Sequence, residues 1–418
     1  MKKWYFIFGL IFGMWNVQSQ TLTLEDCYQK TQKNYPLIRQ LDLINQSEKY
    51  NVQNVSRAWI PQISLSAKAT YQTEVLELPF EIPGLTTPKI PKDQYSATLQ
   101  LNQMIWDGGK ISALRQQIKA GSEIQRIQYE VDNYALRERI NGLFFGIILL
   151  NGQIEQCQVN MQEIKRNYED AQTYYQNGMA NLSDLDAVKV AQYSLEQNMI
   201  QLNALKNSYL AMLSLFIGET LNRNTVFIKP PVEEVSRIEN KRPELQLIEA
   251  NIAMQNIQKK FITAKNMPQI GLFVQGAYAR PGLNMFSDKF SPYAIGGVQL
   301  LWNFGNLYTL NNDKRLIDNQ IQNGLIQKDI FTLNTKIQSE QQRAAIEQYK
   351  QLLQTDDEII RLRENVRQVS EIKVKNGTLS TTDLMRDLNE ELSARVLKVI
   401  HEIQYLKSLY DLKNTNNQ

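Results

Sequence analysis

A chain of 418 residues has room for roughly two or three ordinary domains, and 43% hydrophobic with 21% charged residues is the composition of a folded protein. The formal net charge of +3 falls to +1 without Lys2 and Lys3, and the basic residues stand singly among acidic ones. That balance gives no electrostatic basis for binding nucleic acid or an anionic membrane surface.

Residues 1–20 read as a secretory signal. Lys2 and Lys3 form a basic start, Trp4 to Trp15 carries no charge, and Asn16-Val17-Gln18-Ser19-Gln20 is a polar end with a cleavage point near Ser19. The apolar run is shorter than the ~20 residues that a membrane-spanning helix needs. Cys27 follows Leu24-Glu25-Asp26 and does not fit a lipid-attachment site. An exported chain without a readable lipid anchor is therefore expected. The longest later apolar stretch, Leu143 to Leu150, suits a packed segment of a helical bundle. Any membrane role must then fall to β-strands.

An internal duplication organises the rest of the chain. Pro36, Pro61, Gln62, Ile63, Leu65 and Tyr71 recur at a constant offset as Pro243, Pro268, Gln269, Ile270, Leu272 and Tyr278. Trp106-Asp107-Gly108-Gly109 recurs as Trp302-Asn303-Phe304-Gly305, and Asn177-Gly178 with Asp184-Leu185 as Asn376-Gly377 with Asp383-Leu384. The first repeat, 21–217, is expected to contain a helix over 22–60, strands over 62–72 and 95–105, a long helix over 108–176 and a helix over 182–217. Residues 218–241, with Pro230-Pro231, read as a linker or small equatorial collar. The second repeat, 242–412, is expected to run as a helix over 243–266, strands over 269–279 and 292–302, a long helix over 305–375 and a helix over 381–412. Residues 413–418 read as a frayed tail.

The strand assignments rest on polar–apolar alternation, clearest from Gln62 to Tyr71 and from Tyr95 to Leu101. Pro61 and Pro268 mark the helix-to-strand changeover, and Gly109 and Gly305 the strand-to-helix one. No proline interrupts Gly109 to Asn177 or Gly305 to Asn376, so each long helix would extend roughly 100 Å. Apolar residues from Leu182 to Phe216 and from Met385 to Tyr410 step by three or four, the spacing of a coiled-coil seam. The fold class is mainly α with a small antiparallel β part.

Four strands of about ten residues suit a bilayer crossing, but four strands cannot close and open edges are not tolerated in lipid. The chain is thus expected to oligomerise: two copies supply about eight strands, three about twelve and four about sixteen. Trp59, Tyr71, Tyr95, Trp106, Tyr278, Tyr293 and Trp302 cluster near strand ends, as in the aromatic girdles of a barrel. Aromatics capping a small soluble sheet are the competing reading.

The paired segment Arg57-Ala58-Trp59-Ile60-Pro61-Gln62-Ile63, the exit Trp106-Asp107-Gly108-Gly109-Lys110 and the Asn-Gly…Asp-Leu turns resemble the TolC family of outer-membrane efflux proteins. The resemblance covers essentially the whole mature chain. It implies a homotrimer in outer-membrane lipid with a 12-stranded barrel, continued by an α-helical tunnel across the periplasm. It also implies docking to a periplasmic adaptor protein and to an inner-membrane RND, ABC or MFS-type pump or type I secretion exporter. The second copy departs in having Phe304 and Asn306 where Gly108 and Lys110 stand.

In such a fold the turns Asn177, Gly178, Met179, Ala180 and Asn376, Gly377, Thr378, Leu379 would form the periplasmic tip and the adaptor contact. Asp184 and Asp383 would stand in rings at its narrow end, where carboxylates favour cations. Both positions equally fit a third-residue acid capping a helix start, and both roles can hold. A doubled acidic ring is not expected, because Arg386 and Asp387 flank the next turn. Cys27 and Cys157 lie at heights that differ by roughly 25 Å of helix and are expected to stay unpaired. His401, the one histidine, has no Cys or His neighbour and reads as part of a solvated helix face. Gly108-Gly109-Lys110 lacks the spacing of a phosphate loop, so no nucleotide, metal or other cofactor is expected and no enzyme activity. A secreted coiled-coil adhesive protein is the alternative from another class; a carboxylate hydrolase is disfavoured because Asp and Glu scatter around helix faces.

Overall fold

A computed structural model of the chain describes residues 21–75, 90–232 and 240–417. The signal reading of residues 1–20, most of the segment between the first two expected strands and part of residues 218–241 lie outside the described residues. Two compact units are present. One holds the residues up to Ile38 with Asp132–Arg242 and Leu333–Gln418; the other holds Arg39–Val131 and Pro243–Thr332.

In the first unit, β1 (Thr21–Leu22) leads into α1 (Leu24–Asn34), whose start is closed by a capping box. The Thr23 hydroxyl accepts from the Asp26 N–H at 3.1 Å, and the Asp26 carboxylate accepts from the Thr23 N–H at 3.0 Å. The Thr23 hydroxyl also donates to the Asp26 carboxylate at 2.6 Å, and that bond with the one from the Thr23 N–H holds the Asp26 carboxyl below its usual range. The single helix expected over 22–60 is instead broken. Pro36 forces Tyr35 into an extended conformation (φ −66°, ψ 133°), which ends α1, and α2 (Ile38–Ser56) starts afresh. A 3₁₀ turn, Arg57–Trp59, then leads to the sheet.

The rest of this unit is built from the far parts of α3 (Lys110–Gln176) and α6 (Leu307–Lys375) with α4 (Leu182–Ile217) and α7 (Thr381–Asn416). Two buried clusters hold it. One gathers Phe144, Phe145 and Ile147 of α3 with Leu213 and Ile217 of α4, Ile403 and Leu406 of α7, and Cys27 of α1. The second joins Ile164 and Ala171 of α3, Leu185, Val188 and Leu195 of α4, and Leu384, Met385 and Leu388 of α7. The eight-residue run Leu143 to Leu150 thus supplies the centre of a helical core.

Where residues 218–241 are described, part of them is tied into this unit. β4 (Val226–Phe227) pairs in parallel with β1, and Leu221 enters the first cluster. The C-terminal tail is not frayed. α7 continues to Asn416, Thr415 and Asn416 are 4% and 3% exposed, and Gln342 donates to the Thr415 hydroxyl at 2.8 Å. His401 also departs from the solvated face expected of it. Its Nδ1 lies 2.8 Å from Asp356 Oδ2, with both side chains largely buried. Its pattern misleads because a hydrogen-bonding partner lets a polar side chain occupy a helix seam that would otherwise be apolar.

Both cysteines are free and buried, one in each cluster. Burial pushes the Cys27 thiol up to about 12 and raises that of Cys157 as well. A maleimide at neutral pH is therefore expected to label neither thiol in the native protein and both after unfolding, as read by intact mass.

In the second unit, β2 (Gln62–Tyr71), β3 (Asp93–Trp106), β5 (Gln269–Arg280) and β6 (Ser291–Leu301) form one antiparallel sheet in the order β2-β3-β5-β6. The strands start directly after Pro61 and Pro268, and α5 (Pro243–Lys265) precedes the second pair. β3 is longer than the 95–105 expected, because its first residues pair with the end of β2, Tyr71 with Asp93. The two strand-to-helix exits differ. Gly108 and Gly109 both have positive φ (68° and 89°), so α3 starts only at Lys110. Gly305 does not share that conformation; a 3₁₀ turn, Phe304–Asn306, takes its place and delays α6 to Leu307.

Candidate functional site: an open sheet and two matching helical turns

The register of the sheet sorts its side chains into two faces, because successive residues of a strand point to opposite sides. Leu65 pairs with Leu99, Leu101 with Val274, and Leu272 with Val298. One face therefore carries a continuous apolar field that also includes Ile63 and Leu300. It is uncovered: Leu65 is 76% exposed, Leu99 54% and Val298 70%. The opposite face presents Ser64, Ser66, Lys68, Thr98, Gln100 and Asn102 from β2 and β3. On β5 and β6 that second face is mixed, with Gln275 and Gln299 beside Phe273 and Ile295. A sheet that turns its apolar side outward inverts the arrangement of a soluble domain.

β2 and β6 are the outer strands of the sheet, and each offers the edge that faces away from its single partner. Ten- and eleven-residue edges left this way are templates for pairing with another chain. The expected aromatics fall in two rows. Tyr71, Tyr95, Tyr278 and Tyr293 stand where β2 and β5 end and β3 and β6 begin; Trp59, Trp106 and Trp302 stand at the other end of the strands. A ten-residue strand separates the rows by about 33 Å before tilt, close to the height of an apolar barrel band and its flanks. All but Tyr293 are at least 41% exposed.

Asp107, in sequence only one member of the Trp106–Lys110 exit, sets its geometry. It is 4% exposed and accepts from the Gly109 N–H at 2.9 Å and the Ile111 N–H at 2.5 Å. Asn303, its counterpart in the second copy, accepts from the Gly305 N–H at 3.1 Å. An acid or amide ahead of a long helix was the signal that could have found it. At Gly108 a Cβ would stand 2.3 Å from the Met267 Cβ, so the glycine also permits a close approach.

The two turns of the first unit share one geometry. At the end of α3, Gly178 has φ 71°, its N–H bonds the Tyr175 carbonyl at 3.0 Å and the Met179 N–H bonds that of Tyr174 at 2.8 Å. At the end of α6, Gly377 has φ 67°, with Gly377 N–H to Val374 at 2.9 Å and Thr378 N–H to Lys373 at 2.9 Å. Each is the crossed pair of bonds by which a left-handed glycine closes a helix end. A Cβ would meet nothing within 4 Å at either glycine, so substitution is penalised by backbone conformation alone. Gly178→Ala and Gly377→Ala are each expected to loosen their turn by about 1–2 kcal/mol, read as faster amide exchange in the last turn of α3 or α6.

Asn177, Met179 and Ala180, like Asn376, Thr378 and Leu379, line these turns, with Met179 68% exposed. Asp184 and Asp383 do cap: Asp184 accepts from the Asn181 N–H at 3.0 Å, and Asp383 accepts from the Ser380 hydroxyl at 2.7 Å. The two acids differ in charge compensation. Arg386 lies 3.1 Å from Asp383, whereas Asp184 has no ion pair among the described residues. Asp387 is also engaged, accepting from the Ser370 hydroxyl at 2.6 Å. Among the described residues there is no His, Cys, Asp and Glu grouping that could hold a metal ion, and no helix long and apolar enough to cross a membrane.

The sequence profile of the outer membrane efflux protein family matches residues 27–219. No curated protein matches the chain in sequence. Solved structures with the same fold include the outer membrane protein VceC of Vibrio cholerae, 13% identical with a TM-score of 0.69, over 94% of this chain and 95% of that one. The CmeC outer membrane channel of Campylobacter jejuni is 13% identical with a TM-score of 0.71, over 94% and 85%. The MtrE outer membrane channel of Neisseria gonorrhoeae, solved in an open state, is 11% identical with a TM-score of 0.69, over 94% and 88%. At such identities the likeness is one of fold. The family profile covers the first repeat and the likeness of fold runs over 94% of the chain, so the chain is similar to the outer membrane efflux protein family in its first repeat and shares the fold of the outer membrane channels throughout.

Proposed function

We propose that three copies of this chain close their sheets into one barrel and serve as a passive export duct of a tripartite efflux or type I secretion system. The observation that carries this reading is the uncovered apolar sheet face bounded by two unpaired edges. The β6 edge of one copy pairing with the β2 edge of the next is a head-to-tail contact, which closes into a ring when the rotation allows. Three copies supply about twelve strands, with the apolar face toward lipid and the Ser, Thr and Gln face lining water. Apolar residues of α6 left exposed at steps of three and four, Ile359, Leu362, Val366 and Val369, fit helix packing between copies.

The Gly178 and Gly377 turns then lie at the periplasmic tip, where an adaptor docks and an inner-membrane pump supplies the energy. Rings of Asp184 and Asp383 stand at the constriction, and Arg386 offsets the second. Asp184→Asn is accordingly expected to reduce cation preference more than Asp383→Asn, measured as reversal potential in planar bilayers. The reading as a whole is tested by the mass, membrane fraction and conductance of the detergent-extracted protein. A trimer from the outer membrane that conducts ions supports it; a water-soluble periplasmic monomer overturns it.

A further inference from the structure

The loop between β5 and β6, residues 281–290, is tied by its own side chains to one side of the sheet. Tyr95 pairs with Arg280 and Ala97 with Tyr278, in the register that also pairs Leu101 with Val274. Tyr95, Tyr278 and Arg280 therefore stand on the apolar face. The loop returns to that face. Phe290 stacks on Tyr278 with ring centroids 5.4 Å apart and meets Tyr95 at 6.2 Å. Arg280 reaches Asp288 of the loop at 2.6 Å and Asp93 of β3 at 3.3 Å. A ring stack and an ion pair thus draw the loop over the apolar side, away from the face that carries Ser66 and Thr98.

The tip of the loop is apolar where a turn in water is ordinarily polar. The Ser287 N–H bonds the Asn284 carbonyl at 3.1 Å, and the Asn284 side chain accepts from the Phe286 N–H at 3.2 Å. Met285 and Phe286 therefore occupy the two corners of a four-residue turn, positions that favour glycine, proline, asparagine or aspartate. Both are exposed, and so is Leu283 at 61%. Uncovered apolar side chains gathered on one short loop mark an interaction surface. Lys289 beside them is exposed and has no ion pair among the described residues.

We propose that this loop is a membrane-surface anchor: Met285 and Phe286 enter the headgroup layer next to the tyrosine row, and Lys289 meets lipid phosphate. This rests on the reading that the apolar sheet face meets lipid. Continuity selects lipid as the occupant, because the platform on which Phe290 lies is Tyr278 of that same face. Charge agrees, since an apolar tip with a free cation beside it matches a layer that is apolar beneath and anionic at its surface. The lysine stem can lie along apolar surface while its ammonium reaches the phosphates. A loop so placed fixes the depth of the sheet in the bilayer.

The test is fluorescence quenching of the full-length protein reconstituted in phospholipid vesicles that contain an anionic phospholipid. A small fluorophore is attached through Leu283→Cys, the two native thiols being buried, and separately through Leu99→Cys as the reference for the sheet face. Spin-labelled phospholipid is expected to quench both sites more strongly than aqueous iodide. Adding Met285→Asp/Phe286→Asp is expected to cut lipid quenching at the Leu283 site about tenfold or more, the effect of losing two apolar side chains from the lipid layer. Lys289→Gln is expected to cut it about fivefold, and only when anionic lipid is present; no change there overturns the assignment of Lys289 to phosphate. Quenching of the Leu283 site by iodide alone, with Leu99 still quenched by lipid, overturns the anchor and leaves the barrel reading standing. Equal lipid quenching with and without the two aspartates also overturns it, because the fluorophore alone then drives insertion. Absence of lipid quenching at Leu99 overturns the lipid-facing reading and the anchor with it.

Discussion

Leu99→Arg is expected to prevent assembly of the barrel, while Thr98→Arg on the same strand leaves it largely intact. Leu99 faces Leu65 across β2–β3 on the apolar side, and Thr98 faces Ser66 on the polar side. If the apolar face meets lipid, an arginine near mid-strand costs about 2–4 kcal/mol in each copy, against far less on the water-lined face. In a soluble sheet the order would differ, because both positions are solvent-accessible and an exposed charge is tolerated within about 0.5 kcal/mol. The measurement is the folded fraction in lipid vesicles across a urea series, read by heat-modifiable gel mobility. Equal tolerance of the two arginines would rule out a lipid-facing role for this face.

The second large effect lies in the helical unit. Phe144 is fully buried and meets Phe145 edge-on at 5.9 Å and Phe227 of β4 at 5.5 Å. Removing its ring leaves a cavity among α3, β4 and the neighbouring helices, so Phe144→Ala is expected to cost about 3–5 kcal/mol. The loss should appear as a lower midpoint of chemical unfolding, and Phe144→Leu should recover part of it by refilling the space. A cost below about 1 kcal/mol would mean that the cluster collapses onto the gap, contrary to the close packing that such interiors show.

Much of this architecture is written locally. Alternation from Gln62 to Tyr71 and the positions of Pro61 and Pro268 fix where strands begin. Asn-Gly at both 177 and 376 fixes where long helices stop, because a left-handed turn needs a residue without a Cβ penalty. The doubled order of these landmarks exposed the repeat. Boundaries that depend on a single local conflict were less legible. Pro36 lies inside an otherwise helical pattern and splits it, whereas Pro243 in the second copy opens α5. The same residue type breaks one helix and starts another, according to whether helical residues precede it.

The candidate site divides in the same way. The residues at the turns, the aromatic rows and the capping acids could be named from spacing alone, since each depends on neighbours within a few positions. Their partners could not. That Arg386 compensates Asp383 while Asp184 stands without an ion pair among the described residues follows from side-chain placement on a folded hairpin. The capping role of Asp107 was not legible, because a buried cap reads in sequence as one more acid in a turn. His401 reads as solvated until Asp356, 45 residues away, is brought alongside it.

By itself the sequence determined the repeat and the strand and helix types, because these rest on periodicity, and it set the expectation that four strands need further copies to close, from the limits of an open edge in lipid. Only the tertiary structure decided the strand order β2-β3-β5-β6, which places both edges on strands of different repeats. It alone showed which sheet face is apolar across all four strands, and that α7 packs apolar residues on α4 while its His401 and Glu391 bond Asp356 and Arg367 of α6. The physical reason is common to all three: register and pairing join residues far apart in the chain, and local propensity carries no information about which distant partner satisfies an edge, a face or a charge.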